Sequence, residues 1–348
     1  MADYTTIDNP TKHFNTVLYT GNGSTAHAIT GVGFQPDWVW CKARSITKDH
    51  LLFDINRGVT NALKTNASLA VDTNSEFLQA FGTDGFTVGN QGKINTSSAT
   101  YVSWNWLGAN GTASNSNGSI TSTVSANQTA GLSIVTYTGN GTAGATVGHG
   151  LGSVPKMIIV KVRNTSNSWV VYHTSLGATK FIEMNSTGAV QTNSTRFNDT
   201  EPTSSVFSLG SAAGVNTNSD THVAYCFAEK QGYSKFGKWT GTGQSSGPFI
   251  YTGFRPAFLS WKMSSSTENW YINDNKREPY NDDSMTVLYP NLNNADGALN
   301  DEIDLLANGF KINGTNSAHN TDGATYIYWA FAEHPFVTAG TKAAGTAR

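Results

Sequence analysis

The sequence predicts an all-β protein of three tandem antiparallel β-sandwich domains with jelly-roll-like topology. Three observations carry this prediction. A set of aromatic, glycine and proline markers recurs three times at near-constant spacing. The apolar runs between the markers are short and rich in Val, Ile, Tyr, Phe, Trp and Thr, the residues that suit a pleated, half-buried surface. No segment sustains a helical period.

Each copy opens on an aromatic followed by a glycine turn: Tyr19-Thr20-Gly21-Asn22-Gly23, Tyr137-Thr138-Gly139-Asn140-Gly141 and Trp239-Thr240-Gly241-Thr242-Gly243. A proline then leads into an apolar strand ending in lysine: Pro36 to Lys42, Pro155 to Lys161 and Pro256 to Lys262, at one spacing throughout. The same interval beyond each lysine reaches Asp54, His173 and Asp274, which close the runs Leu51-Leu52-Phe53, Val170-Val171-Tyr172 and Trp270-Tyr271-Ile272. Asn66 and Asn185 follow at equal distance, and Asn291 follows after a five-residue insertion. The stretch from Val59 to Ala67 suits either a helical turn or a short strand. Later strands contain Phe86, Phe207 and Phe310. Each copy closes on an aromatic strand, Tyr101 to Trp106, His222 to Phe227 and Tyr326 to Phe331. In the first of these Tyr101, Ser103 and Asn105 alternate with Val102, Trp104 and Trp106, as in a strand with one buried face. The aliphatic and aromatic residues are thus expected to be consumed in three separate cores.

The pattern places the first sandwich at 1–109, a Gly/Asn/Ser/Thr-rich linker at 110–131, the second sandwich at 132–231, the third at 232–336 and a loose tail at 337–348. Within the linker, Ile120 to Val124 alternates as a strand would.

Composition narrows the function. Of 348 residues, 38% are hydrophobic and only 13% charged, and the surface is therefore expected to be neutral and hydrogen-bonding. A net charge of −2 offers no basic footprint for nucleic acid. No apolar run is long enough for a membrane helix, and no signal-like segment opens the chain, so synthesis in a cytoplasm is expected. Cys41 and Cys226 lie in different copies and are expected to be buried, reduced thiols.

Motifs that resemble chemistry do not hold together. Gly139-Asn140-Gly141-Thr142-Ala143-Gly144 spells a dinucleotide fingerprint, but the Gly-rich segment after it cannot open a helix. The eight histidines show no metal spacing, and no nucleophile elbow is present. Asp54 and Asp274 recur, but His173 fills their place in the second copy; a catalytic acid would not be lost there. Strand-end hydrogen bonding is the expected role. Asp282, Asp283, Asp301, Glu302 and Asp304 supply oxygen ligands for Ca²⁺ without a spacing that requires it, and a solvated acidic loop is expected. No cofactor and no enzymatic activity are expected. The candidate contacts are Trp169 and Trp270, at equivalent positions with His50 in the first copy, together with Tyr280, Tyr289, Asp282 and Asp283. The tryptophan rings stack on a sugar if that face is exposed and pack in the core if it is not. Lys42, Lys161 and Lys262 are expected to cap strands or discourage strand addition. Binding through the loops that differ between copies is expected, above all the segment 281–304.

Several strings together resemble a family of repeat domains found in structural and tail-fibre-like virion proteins of marine bacteriophages. They are Tyr137-Thr138-Gly139-Asn140-Gly141, Gly253-Phe254-Arg255-Pro256, Phe53-Asp54-Ile55-Asn56-Arg57-Gly58, Tyr225-Cys226-Phe227-Ala228-Glu229 and Tyr326-Ile327-Tyr328-Trp329-Ala330-Phe331-Ala332-Glu333-His334-Pro335-Phe336. The resemblance runs from Phe14 to Phe336 and implies a virion location, with other virion proteins as partners. It supplies no catalytic residue. The expectation that follows is a tail-fibre or tail-tip adhesin for host attachment, binding a host surface glycan or protein. The alternatives are a head-decoration or architectural virion protein and a glycan depolymerase. A homo-oligomer is compatible with the sequence, but no heptads or β-helical stem suggest an intertwined shaft. The first copy departs from the pattern at its end, where Leu107-Gly108 replaces Ala-Glu.

Overall fold

The proline-to-lysine runs, apolar on both faces, become central strands because only a strand covered on each side hides every side chain. In the computed structural model, which describes residues 5–281, 284–300 and 303–338, these strands are Trp38–Ala43, Pro155–Val162 and Phe254–Met263. Each pairs on one side with the last strand of its own copy, Thr100–Trp106, Thr221–Ala228 or Thr325–Pro335. On the other side each pairs with Leu51–Asp54, Val170–His173 or Trp270–Asp274. The opening strands Phe14–Thr20, Leu132–Thr138 and Ser234–Thr240 flank the last strands. The register is the same each time, with Trp40 opposite Trp104, Ile159 opposite Tyr225 and Ser260 opposite Trp329. A smaller sheet accompanies each large one. It joins His27–Thr30, Gly85–Val88 and Leu78–Gly82 in the first copy, Ala145–Gly148 and Val206–Leu209 in the second, and Ser246–Tyr251, Gly309–Asn313 and Ile303–Leu306 in the third. All pairs of named strands are antiparallel, so the chain is all-β and sandwich-like. The only α-helices among the described residues are single turns, and no helix is long and apolar enough to cross a membrane.

The glycine turns have a definite job. Gly23, Gly141 and Gly243 adopt φ of 69°, 70° and 62°, a conformation that favours glycine. The turn residue before each of these glycines is held by a buried asparagine: Asn95, Asn216 and Asn320 accept from the backbone N–H of Asn22, Asn140 and Thr242 at 2.9, 2.9 and 2.8 Å. The fingerprint-like glycines therefore build a turn that leads into the strand Ala145–Gly148, and no helix follows.

One expectation changes and one open alternative is decided. Residues 110–131 are not a free linker: Ala113–Asn115 and Ser122–Asn127 pair in sequence onto Leu132–Thr138 and widen the second copy's sheet. The ambiguous stretch after Asp54 is a strand, Gly58–Leu63.

The larger correction concerns the core. Alternate residues of each large sheet do fill a sandwich core within their own copy, for example Val39 and Cys41 in the first and Ala224 and Cys226 in the second. The opposite faces, however, are not exposed. Trp38, Trp40, Trp104 and Trp106 of the first copy meet Ile159, Tyr225 and Phe227 of the second and Phe258, Trp329 and Phe331 of the third in one shared core. Trp38 stacks on Tyr225 with centroids 4.7 Å apart, Phe227 lies 5.3 Å from Trp329, and Trp106 stacks on Trp329 at 6.2 Å. The first strand of the first copy and the last strand of the third also meet in this core, where Phe14 stacks on Phe331 at 5.4 Å.

Main-chain bonds show that the contacts form a closed cycle. The N–H of Val71 donates to the Arg163 carbonyl at 2.8 Å, that of Val190 to Ser264 at 2.9 Å, and that of Asp296 to Arg44 at 2.7 Å. Val71, Val190 and Asp296 each stand five residues past the recurrent asparagine, and Arg44, Arg163 and Ser264 each stand two past the recurrent lysine. The first copy thus holds the second, the second the third, and the third the first.

Candidate functional site

The recurrent positions singled out in the sequence lie at the junctions between copies. Trp169 and Trp270 are fully buried at 0% and 1% exposure, so their rings cannot stack on a ligand. The Trp169 indole N–H donates across a junction to the Lys64 carbonyl at 2.8 Å, and that of Trp270 to the Glu183 carbonyl at 2.9 Å. Lys64 and Glu183 both stand two residues before the recurrent asparagine, which in turn caps the strand of its own copy: Asn66 accepts from the N–H of His50, Asn185 from Trp169 and Asn291 from Trp270. In the first copy His50 takes the tryptophan's place. Its Nδ1 accepts from the Trp40 indole at 2.9 Å.

Asp54, His173 and Asp274 are struts of the same kind. Asp54 accepts from the Tyr225 hydroxyl at 2.7 Å, and Asp274 from the Trp104 indole at 3.0 Å; both reach the last strand of another copy. Each carboxylate also forms a buried ion pair with the arginine three residues on, Arg57 at 2.5 Å and Arg277 at 2.6 Å. The second copy loses both charges together, with His173 and Leu176 in their places. His173 Nδ1 accepts from the Ser175 N–H, so Nε2 carries the proton and donates to the Tyr328 carbonyl at 3.0 Å. The expected strand-end hydrogen bond is present, and it crosses between copies.

The neutral state of His173 makes stability pH-dependent. Burial pushes its pKa down to about 4, against some opposition from the Tyr328 carbonyl, and burial does the same to His222, also to about 4. Below the ordinary histidine value the unfolded chain takes up protons that the folded chain refuses, so stability falls as the pH drops from about 6.5 toward 4. Each ring contributes roughly 1 kcal/mol of loss per pH unit in that window. Urea midpoints measured at pH 7 and pH 5 are expected to show the drop, and equal midpoints would count against buried neutral rings.

The recurrent lysines do not guard sheet edges. Lys42, Lys161 and Lys262 lie on central strands at 0–1% exposure, and burial lowers each to about 8. Their ammonium groups donate to main-chain carbonyls, Lys161 across a junction to Ser68 at 3.0 Å. Cys41 and Cys226 are buried and unpaired, in different cores.

The third copy's insertion is less loop-like than expected. Ser284–Val287 and Gly297–Asn300 pair as a hairpin, and Met285 and Val287 are buried in the third sandwich core. Tyr289 is half-buried against Tyr271, 5.3 Å between centroids. Tyr280 is 73% exposed and, with Phe249 and Tyr251, gives the third copy its exposed aromatic rings. Asp282, Asp283, Asp301 and Glu302 lie outside the described residues; Asp304 accepts from Asn313 at 2.8 Å. Among the described residues no group of three or more potential ligands converges on a metal position. The Glu229 and Glu333 that the first copy lacks pair with Lys235 at 2.7 Å and Arg255 at 3.1 Å. Gly108 stands there instead because a Cβ would lie only 2.9 Å from the Asp37 carboxylate.

One charged side chain at a junction has no partner. Arg163 lies at the junction of the first and second copies, and its Nε is buried with no acceptor among the described residues. Two clefts meet at this side chain. One, of about 260 Å³, is lined by Ala70, Val71, Thr73, Asn164 and Thr221. The other, of about 210 Å³, is lined by the threonines 121, 123, 136, 138 and 221. Burial, and then the nearby Arg57 cation, hold Arg163 below the ordinary arginine range. Nothing in the sequence alone marks Arg163, because its meaning depends on which copy its strand faces.

The chain belongs to the family described as a domain of unknown function (DUF7483), whose model matches residues 9–335. No curated protein and no solved structure matches it.

Proposed function

We propose that this member of the DUF7483 family is a non-catalytic virion protein: a tail-fibre or tail-tip adhesin for host surface glycan or protein. Its three tandem jelly-roll-like sandwiches would form one rigid body. The observation that carries the reading is the fate of the recurrent acids. Asp54 and Asp274 are fully buried, each in an ion pair within its own copy and in a hydrogen bond to another copy, so neither is free to act on a substrate. The large sheets are covered on both faces. That leaves loops and shallow polar clefts as the available binding surface, the usual arrangement when a rigid β scaffold presents a binding site. The polar, weakly charged composition and the resemblance to phage virion repeats support the same reading.

The test is to locate the protein on particles by immuno-electron microscopy and to ask whether the isolated chain blocks adsorption. Label on the tail with competition for adsorption is expected. Label on the head with no competition would replace attachment by an architectural role, and release of sugar products from host polysaccharide would show an enzyme instead.

A further inference from the structure

We propose that Arg163 and the threonine-lined clefts beside it form a binding site for an anionic saccharide, with the arginine receiving the sugar's carboxylate or sulfate. The three junctions act as internal controls. At the junction of the third and first copies, the Asp296 carboxylate bridges Arg44 at 2.8 Å and Arg277 at 3.1 Å, so two cations share one internal anion. At the junction of the second and third copies, the equivalent residues are Val190, Ser264 and Leu176, and none of the three is charged. At the junction of the first and second copies both cations are kept, as Arg163 and Arg57, but Val71 stands where the carboxylate should be. Arg57 has its own partner in Asp54. Arg163 has none.

The neighbouring acids are already engaged. Asp72 pairs with Lys64 at 2.8 Å and Lys93 at 3.4 Å, and Asp220 accepts from Asn164 and Thr165. A half-buried guanidinium without an acceptor recruits an anion from outside, and its planar fork suits a carboxylate or sulfate in a bidentate pose. The flanking threonines and Asn164 can pair with sugar hydroxyls. The anion site follows from the junction comparison alone. The saccharide part rests on the attachment reading.

The experiment is calorimetric titration of the full chain with a glucuronate-containing oligosaccharide, with its carboxyl-reduced neutral form as control. Binding of the acidic form is expected, with the neutral form at least about tenfold weaker. Arg163→Gln should cost about tenfold or more. Val71→Asp keeps the arginine and supplies the missing carboxylate from within, so it should abolish binding and raise the melting temperature. Circular dichroism checks that both variants remain folded. Unchanged affinity in folded Arg163→Gln and Val71→Asp, or no binding by the wild-type chain, would overturn the site. If Val71→Asp removes oligosaccharide binding while particles carrying it adsorb normally, the site stands and the attachment reading fails.

Discussion

A chain ended at residue 231 is expected to lose cooperative folding of the two copies it still contains. The third copy contributes Phe236, Phe258, Trp270, Ile272, Ile327, Trp329 and Phe331 to the shared core, among others. Their removal bares the tryptophan-rich faces of the other two sheets, which pack on them. At roughly 1.5–3 kcal/mol for each large side chain, the loss is on the order of 10 kcal/mol or more. That is comparable with the whole net stability of a typical domain. The truncated chain should aggregate or give a broad urea transition with weak near-ultraviolet dichroism. The intact chain should unfold in a single step by fluorescence and dichroism alike. Two sharp, independent transitions in the intact chain, or a soluble native-like truncation, would show that the shared core contributes little.

The second large effect concerns the buried Asp54–Arg57 pair. Arg57→Leu or Asp54→His alone leaves one charge without its partner, at a cost of about 3–5 kcal/mol. The double variant Asp54→His with Arg57→Leu reproduces what the second copy already does with His173 and Leu176. Its cost should be on the order of 1–2 kcal/mol, from the Tyr225 bond and the Leu52 carbonyl contact that the swap does not restore. Chemical denaturation of the four proteins closes a double-mutant cycle. Additive single costs would mean that the two charges are not coupled and that the joint absence of both in the second copy is incidental.

The all-β class was legible because strand-forming runs and glycine turns are local signals. So was the equivalence of the proline markers in the second and third copies, since Pro155 and Pro256 sit at equivalent bulges opposite Ala228 and Ala332, whereas Pro36 lies just before its strand; the strand order was not legible. The shared core was not legible. Alternation in Tyr101 to Trp106 distinguishes two faces, but it does not say what covers each, and a face covered by another copy looks the same as one covered by its own smaller sheet. Whether Trp169 and Trp270 face solvent or a core stayed open for this reason. The residues 110–131 were misread because serine- and threonine-rich strands at a sheet edge resemble linkers in composition. The unpaired Arg163 needed two pieces of information that spacing does not contain: which junction it faces, and that Val71 rather than a carboxylate meets it there.

The closed cycle of junctions also has a consequence for stoichiometry. Three identical subunits arranged this way would repeat every junction, so a charge missing at one would be missing at all three and any ligand would bind three times. Because one polypeptide runs through all the copies, each seam has its own side chains. One seam is neutralised internally by Asp296, one carries no charge at the equivalent positions, and one keeps a spare cation. The assembly has the rigidity of a ring but a valence of one, and its single ligand-facing seam gives an otherwise nearly threefold body a definite front.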